Sequence, residues 1–327
     1  MKKYISQMLT VMLLLAGVFG VFDSPAVFAQ ETVTIEDIHG KQEVPVNPER
    51  VAALDNRTFT TLAAWDVKLV AAPKAIMPKD NPYVKDDAIV DIGNHREPDF
   101  EALVATDPEV VIVGQRFASH YETIKELLPE ATIIDFSWDV EKSGDKTGEN
   151  LITMLKQSTQ DLGHIFKKEQ EADQLVAEFD DAIQQVKDAY PSDATVMGLI
   201  TTGGEMGYSA PGTGRVWGPL FQVFDLQASL SLDKSGSNHQ GEDISVEAIA
   251  QANPDILLIL DRDAALSSVE NAVPAQEIIE QATALKDVTA IKEGHIVYAP
   301  QDTYLNESIQ TYTQLFKDMA TMMASMK

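Results

Sequence analysis

The chain has no cysteine in its 327 residues. That excludes disulfides, thiolate zinc sites and iron–sulfur clusters. It also excludes a lipid anchor carried on a cysteine. Positive charge is scarce: 25 lysines and arginines stand against 51 aspartates and glutamates, for a net charge of −26. So acidic a surface argues against nucleic acid and anionic membranes as partners, and it favours solubility. Only six arginines occur, so their positions are informative. The six histidines are scattered, with no His-x-x-x-His pair to start a zinc site. No Gly-x-Ser-x-Gly occurs, and carboxylates are too abundant for any catalytic pair to stand out. Beyond the first thirty residues there is no apolar run long enough to span a bilayer.

What is present begins with a leader. Lys2 and Lys3 precede an apolar run from Met8 to Phe22, and Val27-Phe28-Ala29 ends on a small residue. This pattern predicts a signal peptide over 1–29, cleaved after about Ala29. A membrane anchor is the competing reading, but the run is short for a span. The leader carries two lysines and one aspartate, so its removal takes the net charge from −26 to −27. A freely diffusing exported protein without a lipid anchor fits the periplasm.

The most informative feature is a sentence written twice. Glu101-Ala-Leu-Val-Ala-Thr-Asp-Pro108-Glu-Val-Val-Ile-Val113 returns 146 residues later as Glu247-Ala-Ile-Ala-Gln-Ala-Asn-Pro254-Asp-Ile-Leu-Leu-Ile259. The same offset carries Arg116 to Arg262. Each copy reads as a short helix, a proline-marked turn and a buried strand, with an arginine past the strand's end. Around these copies strand and helix patterns alternate, which predicts parallel sheets with both faces covered. The fold class expected is α/β, with two Rossmann-like lobes joined by one long α-helix. The boundaries expected are 30–162 for the first lobe, 163–190 for the connecting helix and 191–327 for the second lobe with its terminal helix. Leu175, Phe179, Ile183 and Val186 recur at helical spacing in that connector, and Pro191 ends it.

Ligands of open α/β sheets bind beyond the carboxyl ends of the strands. Arg116 and Arg262 therefore stand where two lobes could grip an anion between two guanidinium forks. The plainer alternative is an ion pair, and Asp261 and Asp263 flank Arg262. Arg215 follows Ala210-Pro-Gly-Thr-Gly214, with Trp217 two residues on. That loop reads as a mobile rim bringing a cation and an aromatic face to a ligand, or as an ordinary surface loop. His239 lies in a polar loop, and Tyr304 follows the last strand. An imidazole and a phenolate suit a ferric ion if other oxygens complete its shell. Glu101 and Glu247 sit in first helical turns behind the caps Asp99 and Ser245, where the helix dipole favours acids.

The chain resembles, over nearly its whole length after the leader, the iron–siderophore substrate-binding proteins of ABC importers, and most closely their catecholate branch. The matching segments are Val44-Pro-Val-Asn-Pro-Glu-Arg-Val51, Glu97-Pro-Asp-Phe-Glu-Ala-Leu103, Asn253-Pro-Asp255 and Asp261-Arg262. The resemblance implies a binding protein rather than an enzyme, acting as a monomer. It implies no intrinsic cofactor, and an Fe(III)-siderophore carried to an inner-membrane permease. It implies that Arg116, Arg215 and Arg262 form a cationic floor. It implies that His239 and Tyr304 ligate iron directly when a tetradentate siderophore leaves two positions open. Glu101 and Glu247 match the acids with which such proteins dock on the permease. A tris-catecholate ferric complex carries three negative charges, which three guanidiniums would balance, and Trp217 or Tyr208 could pack on its rings. The alternatives are the same fold binding haem or cobalamin, an exported metal-dependent enzyme, and a free-metal importer. The last needs three or four converging His, Asp or Glu ligands.

Overall fold

Five strands come first in the amino-terminal lobe's sheet: β3 (Val51–Ala53), β4 (Leu69–Ala72), β5 (Val90–Asp91), β6 (Val110–Val113) and β7 (Thr132–Asp135). They are preceded by a hairpin of β1 (Thr32–Asp37) and β2 (Gly40–Pro45). In this computed structural model the described residues are 30–142, 145–231, 240–266, 269 and 272–327. The leader expected over 1–29 and His239 lie outside them. The five strands run parallel in the order β5–β4–β3–β6–β7. β3 and β6 are buried along their whole length, as a parallel sheet covered on both faces requires. Helices α1 (Phe59–Ala64), α2 (Phe100–Ala105) and α3 (Tyr121–Leu127) make the crossovers.

The connecting segment contains more than the expected helix. α4 (Thr147–Phe166) runs first, and α5 (Glu169–Ala189) returns antiparallel to it, as the Lys156–Asp180 ion pair at 2.6 Å shows. The expected connector at 163–190 is α5, starting later because Lys167 adopts φ +52° and stops α4. Lys168 N–H then closes the end on the Gly163 carbonyl at 2.7 Å. The approach is tight: a Cβ on Gly163 would stand 2.7 Å from that of Ala172. α4 begins among residues of the second lobe's core and ends among those of the first, and α5 makes the reverse journey.

Among the described residues the second lobe has six strands: β8 (Thr195–Thr202), β9 (Glu205–Ser209), β10 (Gln227–Ala228), β11 (Glu242–Asp243), β12 (Ile256–Asp261) and β13 (Ile296–Tyr298). Its path is β11–β9–β8–β12–β13, with β10 also on β8. β8, β10, β12 and β13 are parallel, while β9 and β11 form an antiparallel edge. Helices α6 (Gly218–Val223), α7 (Val246–Ala252), α8 (Arg262–Ala265), α9 (Ala275–Gln281) and α10 (Thr289–Glu293) surround it. The terminal helix α11 (Ile309–Ala324) packs Phe316 against Phe179 of α5 and Phe224. Each sheet has a buried apolar cluster on either face.

The repeat is real in three dimensions. Asp99 caps α2 by accepting from Ala102 N–H at 2.9 Å, and Ser245 caps α7 by accepting from Ala248 N–H at 3.1 Å. Both helices end before a left-handed residue that precedes proline: Asp107 at φ +46° and Asn253 at φ +45°. β6 and β12 follow as buried parallel strands. Arg116, past the carboxyl end of β6, and Arg262, past that of β12, reach the same Tyr304 ring, so the carboxyl ends of both sheets face one cleft.

Candidate functional site

Three of the arginines converge on one ring. The guanidinium carbons of Arg116, Arg215 and Arg262 lie 5.4, 4.6 and 5.2 Å from the centre of the Tyr304 ring. All three distances are within cation–π range. Arg116 comes from the edge of β6, Arg262 from the edge of β12, and Tyr304 from the segment after β13. Arg116 reaches its place because Gly114 lets the backbone press on Asp55; a Cβ there would lie 2.0 Å from the Asp55 carboxyl carbon. Arg116 Nη2 donates to the Tyr304 carbonyl at 2.9 Å, and Arg215 Nη2 donates to the same oxygen at 3.3 Å. The Nε–H groups of Arg116 and Arg262 are buried without a hydrogen-bond partner.

Arg215 is not on a mobile rim. It is 1 % exposed, and the loop before it is largely buried. Val216 adopts φ +63°, an outlier for a β-branched residue, and Trp217 N–H donates back to the Arg215 carbonyl at 2.7 Å. This tight turn aims Arg215 inward at Glu307, which accepts from its Nη2, and at Glu141, 3.7 Å from its Nη1. Trp217 and Tyr208 are core residues and offer no face to a ligand. Trp217 is fully buried with Nε1–H donating to the Leu199 carbonyl at 3.3 Å. The Tyr208 hydroxyl donates to the Leu230 carbonyl, and burial pushes its phenol up to about 12.

The sequence reading missed a fourth guanidinium and its counter-ion. Arg57, just past β3, is buried and donates from Nη2 to Glu307 Oε2 at 3.2 Å. Its Nε–H and its Nη1 have no hydrogen-bond partner. Burial alone would raise the Glu307 carboxyl, but Arg215, Arg57 and Arg116 outweigh it and hold it below the ordinary range. Burial, and then the charge of Arg215, pushes Arg116 down to about 10. Burial pushes the Asp55 carboxyl up to about 7, against the opposing pull of Arg57. Further bonds fasten the segment carrying Glu307 to the first lobe. Asn56 donates to the Leu305 carbonyl at 3.0 Å, and Thr60 to Asn306 Oδ1 at 3.0 Å.

A cavity of about 280 Å³ opens beside this cluster, lined by Arg116, Arg215, Trp138, Asp139 and Glu141 among others. On the other flank, residues 78–80 of the first lobe and Ala264, Ala265, Gln301 and Asp302 of the second line a smaller space of about 220 Å³. Arg262 is held by Thr202 Oγ1 at 3.0 Å and by Asp263 at 3.3 Å, so its flanking acid does form an ion pair. Glu101 and Glu247 are exposed on the first turns of α2 and α7. Among the described residues no group of three His, Asp or Glu side chains is arranged to hold a metal ion, and no helix is long and apolar enough to cross a membrane.

Comparison with known proteins agrees with this architecture. A family model described as "Periplasmic binding protein" matches residues 51–303. The petrobactin-binding protein YclQ of Bacillus subtilis (strain 168) is 27% identical over 296 residues, covering 89% of this chain and 88% of that one. Its crystal structure superposes with a TM-score of 0.73, over 90% of this chain and 99% of that one. The ferric-anguibactin-binding protein FatB of Vibrio anguillarum is 28% identical over 273 residues, covering 83% and 81%. The periplasmic catecholate-siderophore binding protein VctP from Vibrio cholerae superposes with a TM-score of 0.73 at 23% identity, over 90% and 100%.

Proposed function

The chain belongs to the periplasmic binding protein family, and from that premise we propose that it captures an anionic ferric siderophore, of the catecholate kind, between its lobes. Its family and relatives are binding proteins rather than enzymes. The observation that carries the reading is the convergence of Arg116, Arg215 and Arg262, drawn from both lobes, on one point at the carboxyl edges of two sheets. Guanidinium stays protonated at any physiological pH, and its planar donors match catecholate oxygens. Relatives named for ferric siderophores support the same reading. The protein works as a periplasmic monomer released from its leader and delivers its cargo to an inner-membrane ABC permease. Glu101 and Glu247, one per lobe and both exposed, are the acids that meet the permease. Where the siderophore leaves two iron positions open, His239 and the Tyr304 phenol fill them. Arg116 and Arg262 are the cations that touch the guest. Arg215 holds its place from behind, through Glu307.

The test is a fluorescence titration. Trp138 lines the larger cavity and reports on occupancy. A ferric catecholate quenches the wild-type protein saturably, while haem and cobalamin do not. Arg116→Ala combined with Arg262→Ala removes two charge-assisted contacts and weakens binding by about a hundredfold or more. Saturation by haem without response to ferric catecholate would overturn the assignment, as would unchanged affinity in the double variant.

A further inference from the structure

The charges of this cleft do not sum to the three positive units that three arginines promise. Four guanidiniums stand there: Arg57, Arg116, Arg215 and Arg262. Three carboxylates lie within 4 Å of these guanidiniums among the described residues, and on the far flank Lys79 stands against Asp80 and Asp302, which lowers the balance further. Glu307 bonds Arg57 and Arg215, Glu141 lies 3.7 Å from Arg215, and Asp263 lies 3.3 Å from Arg262. Among the paired groups alone, at most one positive unit remains. At the rim, Asp139 and Lys142 offset each other. Asp55, beside Arg57 and raised to about 7 by burial, can only lower the balance.

These carboxylates are built in rather than screened by solvent. Glu307 is 1 % exposed and Glu141 9 %. Glu141 lines the same cavity as Arg116 and Arg215, so it meets whatever enters. In an enclosed site the effective dielectric is well below that of water. A guest of charge −1 leaves the loaded cleft close to neutral. A guest of charge −3 leaves the loaded cleft with at least two negative units in excess.

We propose that Glu141 and Glu307 set the charge class of the guest, so that the cleft favours a ferric complex carrying one negative charge over one carrying three. The inference rests on the ferric-siderophore reading above and narrows it. It also revises the match of three guanidiniums to a trianionic complex that the sequence alone had led us to expect.

The experiment uses two synthetic probes with the same catechol rings. One is a ferric complex of a tripodal hexadentate tris-catecholate, charge −3. The other is a ferric complex of a linear tetradentate bis-catecholate, charge −1. Dissociation constants are measured by tryptophan quenching for the wild-type protein, Glu141→Gln and Glu307→Gln, each variant first shown to be folded by circular dichroism. The probes differ in denticity as well as charge, so the decisive quantity is how their affinity ratio changes between variants. The wild type binds the monoanionic probe at least about tenfold more tightly, and Glu141→Gln moves the ratio about tenfold towards the trianionic probe. Glu307→Gln moves it the same way, and Glu141→Gln decides the matter if that variant does not fold. A wild-type preference for the trianionic probe, or a ratio that Glu141→Gln leaves in place, sinks this inference and leaves the ferric-siderophore reading standing. Binding of neither probe rejects both.

Discussion

Arg116 and Arg262 occupy the same place in a repeated sentence, yet they live in different electrostatic company. Arg116 is pushed down to about 10 by burial and by the charge of Arg215, and it leans on a backbone carbonyl. Arg262 keeps 20% of its side chain exposed and has a carboxylate of its own in Asp263. Past the carboxyl end of β3 stands the buried Asp55, and the sheet registers put the apolar Ile200 at the matching place in the second lobe. The repeat thus governs backbone: caps, left-handed turns and parallel strands recur. Charge does not recur, because it depends on what packs across the cleft. The first lobe supplies an arginine, Arg57, whose counter-ion Glu307 belongs to the second.

The largest effect that would sharpen this contrast comes from removing that shared counter-ion. Glu307→Leu takes from the buried Arg57 and Arg215 the carboxylate they share, which costs about 3–5 kcal/mol of folding stability. Arg262→Ala removes a partly exposed arginine at the repeated position and costs about 1 kcal/mol or less. Urea unfolding of both variants measures the two values. Equal losses would mean that the centre and the edge of the cleft carry the same electrostatic load, and the contrast would collapse.

A pH series tests the difference between Asp55 and Ile200. The folded Asp55 carboxyl titrates near 7 against an ordinary value of 3.8. Its folded pKa is raised, so the native state binds the extra proton between those values. Stability from this group is greatest below about 4 and falls as pH rises towards 7. Asp161 in α4, also pushed up to about 7 by burial, adds a slope of the same sign. Asp55→Asn therefore flattens part of the decline between about pH 4 and 7, whereas Ile200→Val leaves its slope in place. A decline in Asp55→Asn as steep as in the wild type would show that Asp55 does not titrate as its burial requires.

How much could be read beforehand follows the same division. The repeated helix–turn–strand units were legible because caps, proline and apolar runs are local signals. Arg116, Arg262 and Tyr304 were legible from the rule that sites gather at carboxyl edges, and the structure brings them together. Arg57 obeys the same rule, four residues past the end of β3, and the rule applied to every strand would have found it. Glu307 was hidden because the arginine it meets across the cleft, Arg57, is 250 residues away. Trp217 and Tyr208 were misplaced for a related reason. An aromatic beside a glycine-rich loop looks available until the packing of β8 and α6 closes over it. The helix α4 was not legible because the clear apolar spacing, Leu175 to Val186, lies wholly beyond the left-handed turn at Lys167 that divides the two helices.

The smallest predicted effect separates the two copies where their backbones agree best. Asp107 and Asn253 have nearly the same left-handed φ, +46° and +45°. Glycine removes the Cβ strain of that conformation but adds freedom to the unfolded chain, so on backbone grounds the two nearly cancel. The side chains decide the rest. Asp107 is exposed and stands 3.5 Å from the Arg50 guanidinium, an interaction worth little in water. Asn253 accepts from Thr289 N–H at 2.9 Å and donates to Thr289 Oγ1 at 3.0 Å, tying α7 to α10. Asp107→Gly is therefore expected to change stability by a few tenths of a kcal/mol, and Asn253→Gly to cost about 1 kcal/mol through its lost bonds. Thermal or urea unfolding of the two single variants resolves that gap. Matching losses would show that the left-handed backbone alone sets the cost at both positions, and that the repeat extends to energetics as well as to shape.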